Sequence, residues 1–106
     1  MTKIRYDRND MTLIISGHAG GGEKYNDIVC AGISVLEQTL IRNLQDLQKE
    51  GDGKAVIDHK TEGESSIHFI PKPWCRITAG KMFEFVMTGL RAMAESYPNN
   101  IHIEEE

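Results

Sequence analysis

The stretch DIVCAGISVLEQTLIRNLQDLQK, residues 27–49, decides the fold because it is the longest periodic segment of the chain. Its apolar residues recur every three or four positions and therefore share one stripe of an α-helix. They are Ile33, Leu36, Leu40, Leu44 and Leu47. Asp27 suits the N-cap position, and Gly51 and Gly53 supply the backbone freedom that ends a helix. The pattern predicts an amphipathic helix from Asp27 to about Lys49.

Two strands are predicted before this helix. Ile4 and Tyr6 alternate with polar residues in TKIRYDR, residues 2–8, and MTLIIS, residues 11–16, is rich in apolar and β-branched residues. The connecting DRND, residues 7–10, has turn chemistry, because Asn and Asp tolerate tight backbone geometry. The two segments therefore predict a β-hairpin.

Two further strands and a second helix are predicted after the long helix. The strands are AVIDH, residues 55–59, and SSIHFI, residues 65–70. Apolar residues then recur at helical spacing between Ala79 and Tyr97, and Pro98 stops the helix. The predicted stripe comprises Met82, Phe85, Val86, Leu90, Met93 and Tyr97.

The last predicted element is the short strand IHI, residues 101–103. The resulting order is β-β-α-β-β-α-β, with hairpins joining the paired strands. This order favours an α+β fold in which a mixed, mainly antiparallel five-stranded sheet carries two helices. A length of 106 residues without a repeat or linker predicts a single domain over residues 1–106.

Composition narrows the possible functions. Apolar residues make up 40% and charged residues 26%, which is typical of a globular protein. Because no run approaches ~20 apolar residues and the N-terminus lacks the apolar centre of a signal peptide, we expect a cytoplasmic protein without a membrane partner. The net charge is −4, part of it from EEE, residues 104–106, which we expect to be a solvated tail. With no basic stripe, no direct nucleic-acid binding is expected.

A histidine, a glycine-rich loop and a cysteine lie around the start of the long helix. His18 follows the second predicted strand, Gly20, Gly21 and Gly22 come next, and Cys30 falls at about the third helical position. Unpaired backbone N–H groups and the helix dipole favour a thiolate there. His18 could take the thiol proton, and the same N–H groups could bind an oxyanion. The pattern is compatible with a nucleophilic Cys-His pair.

Asp27 allows two opposite effects on this pair. A carboxylate beside Cys30 would disfavour the thiolate, unless it is turned away or engaged by backbone donors. If it contacts His18 instead, it would orient the ring and stabilise the imidazolium, as the third member of a triad does. An N-cap role is the structural alternative.

Other interpretations stay open for the same residues. A cysteine is often a small buried hydrophobe, and the three glycines could form a plain turn or a phosphate-binding loop, although neither a Walker pattern nor G-x-G-x-x-G is present. His59, His68 and His102 lie on three predicted strands without close ligand spacing, so no metal site is expected. We expect Cys75 to be packed or partly exposed and without a catalytic role. Trp74 is expected in the core, and the alternative is an apolar wall for a bound peptide.

The run GHAGGGEKYNDIVCAGIS, residues 17–34, resembles the signature of the ribosomal-processing cysteine proteases, Prp. That pattern joins G-H-A through a glycine-containing loop to D-I-V-C, followed by small residues and a serine. The matching residues are Gly17, His18, Ala19, Asp27, Ile28, Val29, Cys30, Ala31, Gly32 and Ser34. The family usually has a glycine two residues before the motif Asp, where this chain has Tyr25. The glycines at 20–22 would then move the loop hinge towards His18.

The resemblance implies Cys30 as nucleophile and His18 as general base, without a cofactor. It also implies a peptide substrate, cut after aromatic residues and before a basic segment, and a homodimer. The substrate would be the N-terminal extension of a large-subunit ribosomal protein precursor or, because similar sequences occur in phage-like regions, a phage structural precursor. The alternative is a non-catalytic ribosome-associated or peptide-binding module with a merely structural glycine loop.

Overall fold

The computed structural model describes residues 1–17, 26–61 and 63–106. Seven helices and strands follow in the predicted order, with a short 3-10 turn over Pro73–Cys75. The elements are β1 (Thr2–Asp7), β2 (Thr12–Ser16), α1 (Asn26–Lys49), β3 (Gly53–Thr61), β4 (Glu64–Pro71), α2 (Arg76–Ser96) and β5 (Ile101–Glu105). In the described part, neither helix is long and apolar enough to cross a membrane.

The five strands form one sheet in the order β3-β4-β2-β1-β5. Three neighbouring pairs are antiparallel, whereas β1 and β5 run parallel, with Thr2 opposite Ile101. The predicted α+β fold with a mixed, mainly antiparallel sheet is therefore confirmed. Because β4 pairs with β2, the two hairpins lie side by side and bring their ends together near the start of α1.

The core lies between one face of the sheet and the two helices. Alternate strand residues such as Ile4, Tyr6 and Leu13 are buried, as their period of two requires. Four members of the α1 stripe are buried and Leu36 is partly buried against them, so that stripe is confirmed. Burial of a Leu side chain contributes roughly 2 kcal/mol, so this stripe fixes α1 on the sheet.

The α2 stripe differs from the predicted one. Phe85 is 75% exposed, and Phe83 is buried, where its ring stacks on Tyr6 with 5.9 Å between centroids. The two phenylalanines are two positions apart and so point to opposite sides of the helix, which means that only one of them can face the core. Packing against Tyr6 selects Phe83, so the prediction for Phe85 was wrong.

Trp74 also departs from the prediction, since it is 70% exposed rather than in the core. Its indole Nε1 donates a 2.9 Å hydrogen bond to Asp52 Oδ1 at the surface. An indole has one polar group, and this partner satisfies it without burial.

The acidic C-terminus is part of the sheet rather than a solvated tail. β5 continues to Glu105, and the backbone N–H of Glu106 donates to the carbonyl of Tyr6 over 2.9 Å. Arg91 donates hydrogen bonds of 2.9 and 2.6 Å to the Glu105 carboxylate. The charge of Glu105 is thus neutralised by α2, which allows the strand to extend through acidic residues.

Candidate active site

A cleft of about 330 Å³ opens beside the second to fourth turns of α1. One wall is α1, and the other is formed by the ends of β1 and β2 and by the β3–β4 turn. The described lining residues are Thr2, Ile15, Gly17, Cys30, Ile33, Ser34, Glu37, Gln38, His59, Gly63, Glu64 and Ser65. The cleft therefore contains one cysteine beside several polar groups.

Cys30 lies on the α1 wall with an exposed side chain. It is the fifth residue of α1 rather than about the third as predicted, because the helix begins at Asn26 and Asp27 lies inside the first turn instead of at the N-cap. Asp27 lies in the first turn, where a carboxylate interacts favourably with the helix dipole. Cys30 is accessible to a ligand in the cleft and is close to the positive end of the helix.

The opposite wall contains a β-bulge. Asp58 pairs with Ser66 and Thr61 with Glu64, so two residues of β3 face Ser65 alone. Bulges change the direction of a strand and re-aim its side chains, often beside active sites. Here the bulge region contributes His59, whose side chain lines the cleft with Ser65.

Gly17 fixes the direction in which the chain leaves β2. Its φ is +90°, and a Cβ added there would lie 2.5 Å from the carbonyl oxygen of Met1. Its N–H donates a 2.9 Å hydrogen bond to the Gly63 carbonyl in the β3–β4 turn. Only glycine combines this φ with so close an approach. The backbone geometry at this position therefore explains why a glycine, Gly17, precedes His18 in the motif.

The remaining predicted site residues are His18, Gly20, Gly21 and Gly22, which lie outside the described residues. The described chain ends at Gly17 on one side of this loop, and Gly17 and Cys30 line the same cleft.

The second cysteine has a different environment. Cys75 is 4% exposed and packs in the core. Burial raises the pKa of its thiol, and the negative charges of Asp52 and Glu50 raise it further. Cys30 and Cys75 are both free thiols. Cys75 is packed, as predicted.

Glu37, His59, Glu64 and Ser65 are among the polar residues of the cleft that did not emerge from the sequence as site residues. Glu37 carried a local signal, because it follows Cys30 by seven residues and so lies on the same helix face. The other three are brought in by the pairing of β3, β4 and β2, which no local pattern fixes. Among residues 1–17, 26–61 and 63–106, no group of three His, Cys, Asp or Glu side chains could hold a metal.

The chain is similar to known proteases in sequence and in fold. Two structures of the ribosomal processing protease Prp from S. aureus, one with a substrate peptide and one with a covalently linked product peptide, are each 23% identical over 100% of both chains, with TM-scores of 0.75 and 0.76. The Streptococcus mutans protein SMU.848 is 21% identical over 98% of this chain and 90% of its own, with a TM-score of 0.69.

These structural similarities show a shared fold, and the sequence assigns the family. No curated protein matches the chain significantly. The family model described as Cysteine protease Prp matches residues 1–102, nearly the whole chain. The chain therefore belongs to the cysteine protease Prp family and is a cysteine protease.

Proposed function

We propose that this protease uses Cys30 as nucleophile and His18 as general base to remove the N-terminal extension of a large-subunit ribosomal protein precursor. The observation that carries the proposal is the position of Cys30, exposed in a cleft at the start of α1, while Cys75 is buried in the core. The motif that joins His18 to Cys30 supports the general base. The ribosomal substrate is supported by the S. aureus relative, a ribosomal processing protease.

The proposed reaction proceeds through an acyl-enzyme. His18 removes the thiol proton, and the Cys30 sulfur attacks the scissile carbonyl carbon. The oxyanion accepts hydrogen bonds from free backbone N–H groups at the α1 N-terminus, which are aligned with the helix dipole. The C–N bond then breaks, and the leaving amine takes its proton from the His18 imidazolium. Water, activated by His18, hydrolyses the thioester and restores the thiol.

Asp27 and the glycines have supporting roles in this proposal. Asp27 orients His18 and stabilises its imidazolium form. Gly20, Gly21 and Gly22 form a hinge that closes His18 towards Cys30 after the peptide enters. Thiol chemistry of this kind requires a reduced cysteine, so we place the enzyme in the cytoplasm.

The direct test is cleavage of a peptide that spans the precursor extension, with aromatic residues before the cut and a basic segment after it. The wild type and a Cys75→Ala variant should cleave the peptide, whereas Cys30→Ala should not. Mass spectrometry of the products identifies the cleaved bond. Cleavage by the folded Cys30→Ala variant would overturn the assignment of Cys30 as the nucleophile. Cleavage of a phage structural precursor but not of the ribosomal peptide would overturn only the proposal that the substrate is a ribosomal protein precursor.

We also propose a homodimer, as the resemblance implies. Ile77 and Phe85 on α2 are 77% and 75% exposed, and this apolar surface supports contact with a second copy. Sedimentation should show a dimer for the wild type and for the control Val56→Ser on the open sheet face. Phe85→Ser should shift the protein towards monomer. A wild-type monomer at micromolar concentration would contradict this proposal.

A further inference from the structure

β3 forms one edge of the five-stranded sheet, so in the described chain one side of its backbone has no neighbouring strand. Along an antiparallel strand, alternate residues direct their N–H and C=O groups to opposite sides. The N–H of Lys72 donates to the carbonyl of Asp52 over 2.8 Å, and the next pair joins Gly53 to Pro71, which has no N–H to donate. Counted from these pairs, the odd-numbered residues of β3 before the bulge direct their backbone groups to the open edge.

Ala55 and Ile57 are the odd-numbered residues between Gly53 and the bulge. The N–H of Ala55 donates a 2.8 Å hydrogen bond to Gln48 Oε1 of α1, which agrees with its direction away from β4. Among residues 1–17, 26–61 and 63–106, no group pairs with the N–H of Ile57 on this side. An edge strand with unpaired backbone groups can pair with another extended chain. The open edge is therefore closed at Ala55 and available at Ile57.

A groove runs along this open edge, with α1 as its other wall. Ile41 follows Cys30 by eleven residues and Gln48 follows Ile41 by seven, so the three residues lie on one side of α1. The active-site cleft covers this side from Cys30 to Gln38, and a second cavity of about 580 Å³ continues from Gln38 past Ile41. The hydrogen bond from Ala55 to Gln48 closes the groove at its far end.

The active-site cleft and the open edge form one continuous path. His59 lines the cleft, and Ile57 precedes it by two residues, about 7 Å along the strand. On α1, Cys30 lies about 27 Å from the level of Gln48 and therefore of Ala55. Because α1 and β3 run in opposite directions, Ile57 lies about 20 Å from the level of Cys30, which an extended peptide spans in roughly six residues.

We propose that the open edge of β3 binds the substrate backbone as an additional strand, with a substrate segment roughly six residues from the scissile bond paired with Ile57. This inference rests on the proposed function of Cys30. The Ile57 N–H donates to a substrate carbonyl, and the Ile57 carbonyl accepts a hydrogen bond from a substrate N–H. Pairing ends at Ala55, whose N–H is bound by Gln48. The contact therefore selects an extended substrate conformation rather than a particular side chain.

The test is a scan of the cleavable peptide in which one backbone N–H at a time is methylated, from the third to the eighth residue on either side of the scissile bond. Fluorescence anisotropy with the Cys30→Ala protein measures the affinity of each peptide without turnover. We expect one N-methyl group, at about the sixth residue, to weaken binding about fivefold, because it removes a hydrogen bond to β3. The residues next to it direct their N–H away from β3 and should tolerate methylation. Equal affinities across the scan would overturn the pairing.

Ile57→Pro removes the same contact from the side of the enzyme. A proline fits an edge strand where its missing N–H would face outward, so the pairing of β3 with β4 is kept. In the Cys30→Ala background this variant should bind the unmodified peptide about fivefold more weakly. The matched control is Ala55→Pro, which loses an N–H that Gln48 already binds and should keep the original affinity. Equal affinities of the two folded variants would overturn the role of Ile57.

Urea melts establish whether both proline variants fold, because Ile57 also packs against the core. If Ile57→Pro does not fold, the N-methyl scan decides alone. Sedimentation of the folded variant adds an independent outcome. A change from dimer to monomer with unchanged peptide affinity would assign the edge to a second copy of the chain and overturn the proposal.

Comparison of binding with cleavage separates this proposal from the proposed catalytic role. If the wild type cleaves no peptide but the N-methyl effect on binding persists at one distal residue, the catalytic proposal fails and the pairing with β3 holds. If peptides are cleaved and methylation at no distal residue weakens their binding, the pairing fails alone.

Discussion

The backbone N–H of Gly17 donates a 2.9 Å hydrogen bond to the carbonyl of Gly63, which ties the end of β2 to the β3–β4 turn. Both glycines line the active-site cleft, so this bond joins two parts of its wall. Gly17 also precedes His18, the proposed base. The position of this cleft wall and the direction of the chain at Gly17, where it leaves β2, are therefore set together.

Replacing Gly17 by Ala should lower both stability and cleavage. The new Cβ would meet the Met1 carbonyl oxygen at 2.5 Å, and a φ of +90° is unfavourable for alanine. We expect a loss of about 1–3 kcal/mol in the free energy of unfolding, measured by urea melts. Gly51→Ala is the control, because its φ is +81° but no atom lies within 4 Å. That variant should cleave at the wild-type rate, and equal defects in the two would contradict the role assigned to Gly17.

The two cysteines should react at different rates with iodoacetamide. Cys30 is exposed in the second turn of α1, whereas Cys75 is buried and the pKa of its thiol is raised. Below neutral pH we expect Cys30 to be alkylated far faster, as measured by peptide mass spectrometry after quenching. Equal rates across the pH range would count against an activated Cys30.

Replacing His18 by Ala should abolish cleavage while the thermal melt stays nearly unchanged. The reason is that His18 follows a strand end rather than lying in either helix stripe, so we expect chemistry and not packing to depend on it. The test compares the circular dichroism melt and the peptide cleavage rate of the variant with those of the wild type. Full cleavage by the folded variant would remove His18 from the mechanism, and an unfolded variant would favour a structural histidine.

The three loop glycines should matter more for turnover than for stability. Replacing Gly20, Gly21 and Gly22 by Ala restricts the backbone, which would slow closure of a loop that has to move. Steady-state cleavage and urea melts of the triple variant test this expectation. Unchanged turnover in a stable variant would reject the hinge, and parallel losses of activity and stability would indicate simple backbone strain.

The ion pairs around Arg91 should make stability depend on pH. Burial works against ionisation of Glu84, but hydrogen bonds from Arg8 and Arg91 outweigh it and lower its pKa. The hydrogen bond from Arg91 likewise lowers the pKa of Glu105. Both folded-state pKa values lie below the ordinary 4.5 of the unfolded chain, so the stabilisation is present above pH 4.5 and is lost as the pH falls through the folded values.

Arg91→Gln tests this dependence. At neutral pH the variant should lose about 1 kcal/mol of unfolding free energy, and the difference from wild type should shrink as the pH falls below 4.5. Arg5→Gln is the control, because Arg5 lies 3.8 Å from Glu104 with both side chains more than 60% exposed. That variant should change little at any pH. An equal Arg91→Gln deficit in acid and at neutral pH would contradict the electrostatic explanation.

The sequence predicts well what local periodicity controls. The stripe from Ile33 to Leu47 and the alternation of Ile4 and Tyr6 both appear as buried faces, because helix and strand geometry map spacing directly onto one side. Phe83 and Phe85 show the limit of this reasoning. Phe83 is buried within the observed stripe and Phe85 is exposed, and the ring that packs on Phe83 comes from β1, more than seventy positions earlier in the chain.

In the candidate site, too, some residues can be found from local sequence and others only from the tertiary structure. Cys30 could be located from its place near the start of a helix and from the motif, whereas His59 and Ser65 belong to the cleft only because β4 pairs with β2 and β3 contains a bulge. The parallel pairing of β1 with β5 is likewise set by tertiary packing rather than by a pattern in either strand.

That parallel pairing places the two ends of the chain at opposite ends of one sheet edge. Thr2 lines the cleft and pairs with Ile101, whereas Glu105 pairs with Tyr6 at the far end. An affinity tag fused before Met1 would therefore start beside Cys30 and compete with peptides for the cleft. A tag fused after Glu106 would leave the entrance open, so kinetic work on this enzyme is best done with a C-terminal tag.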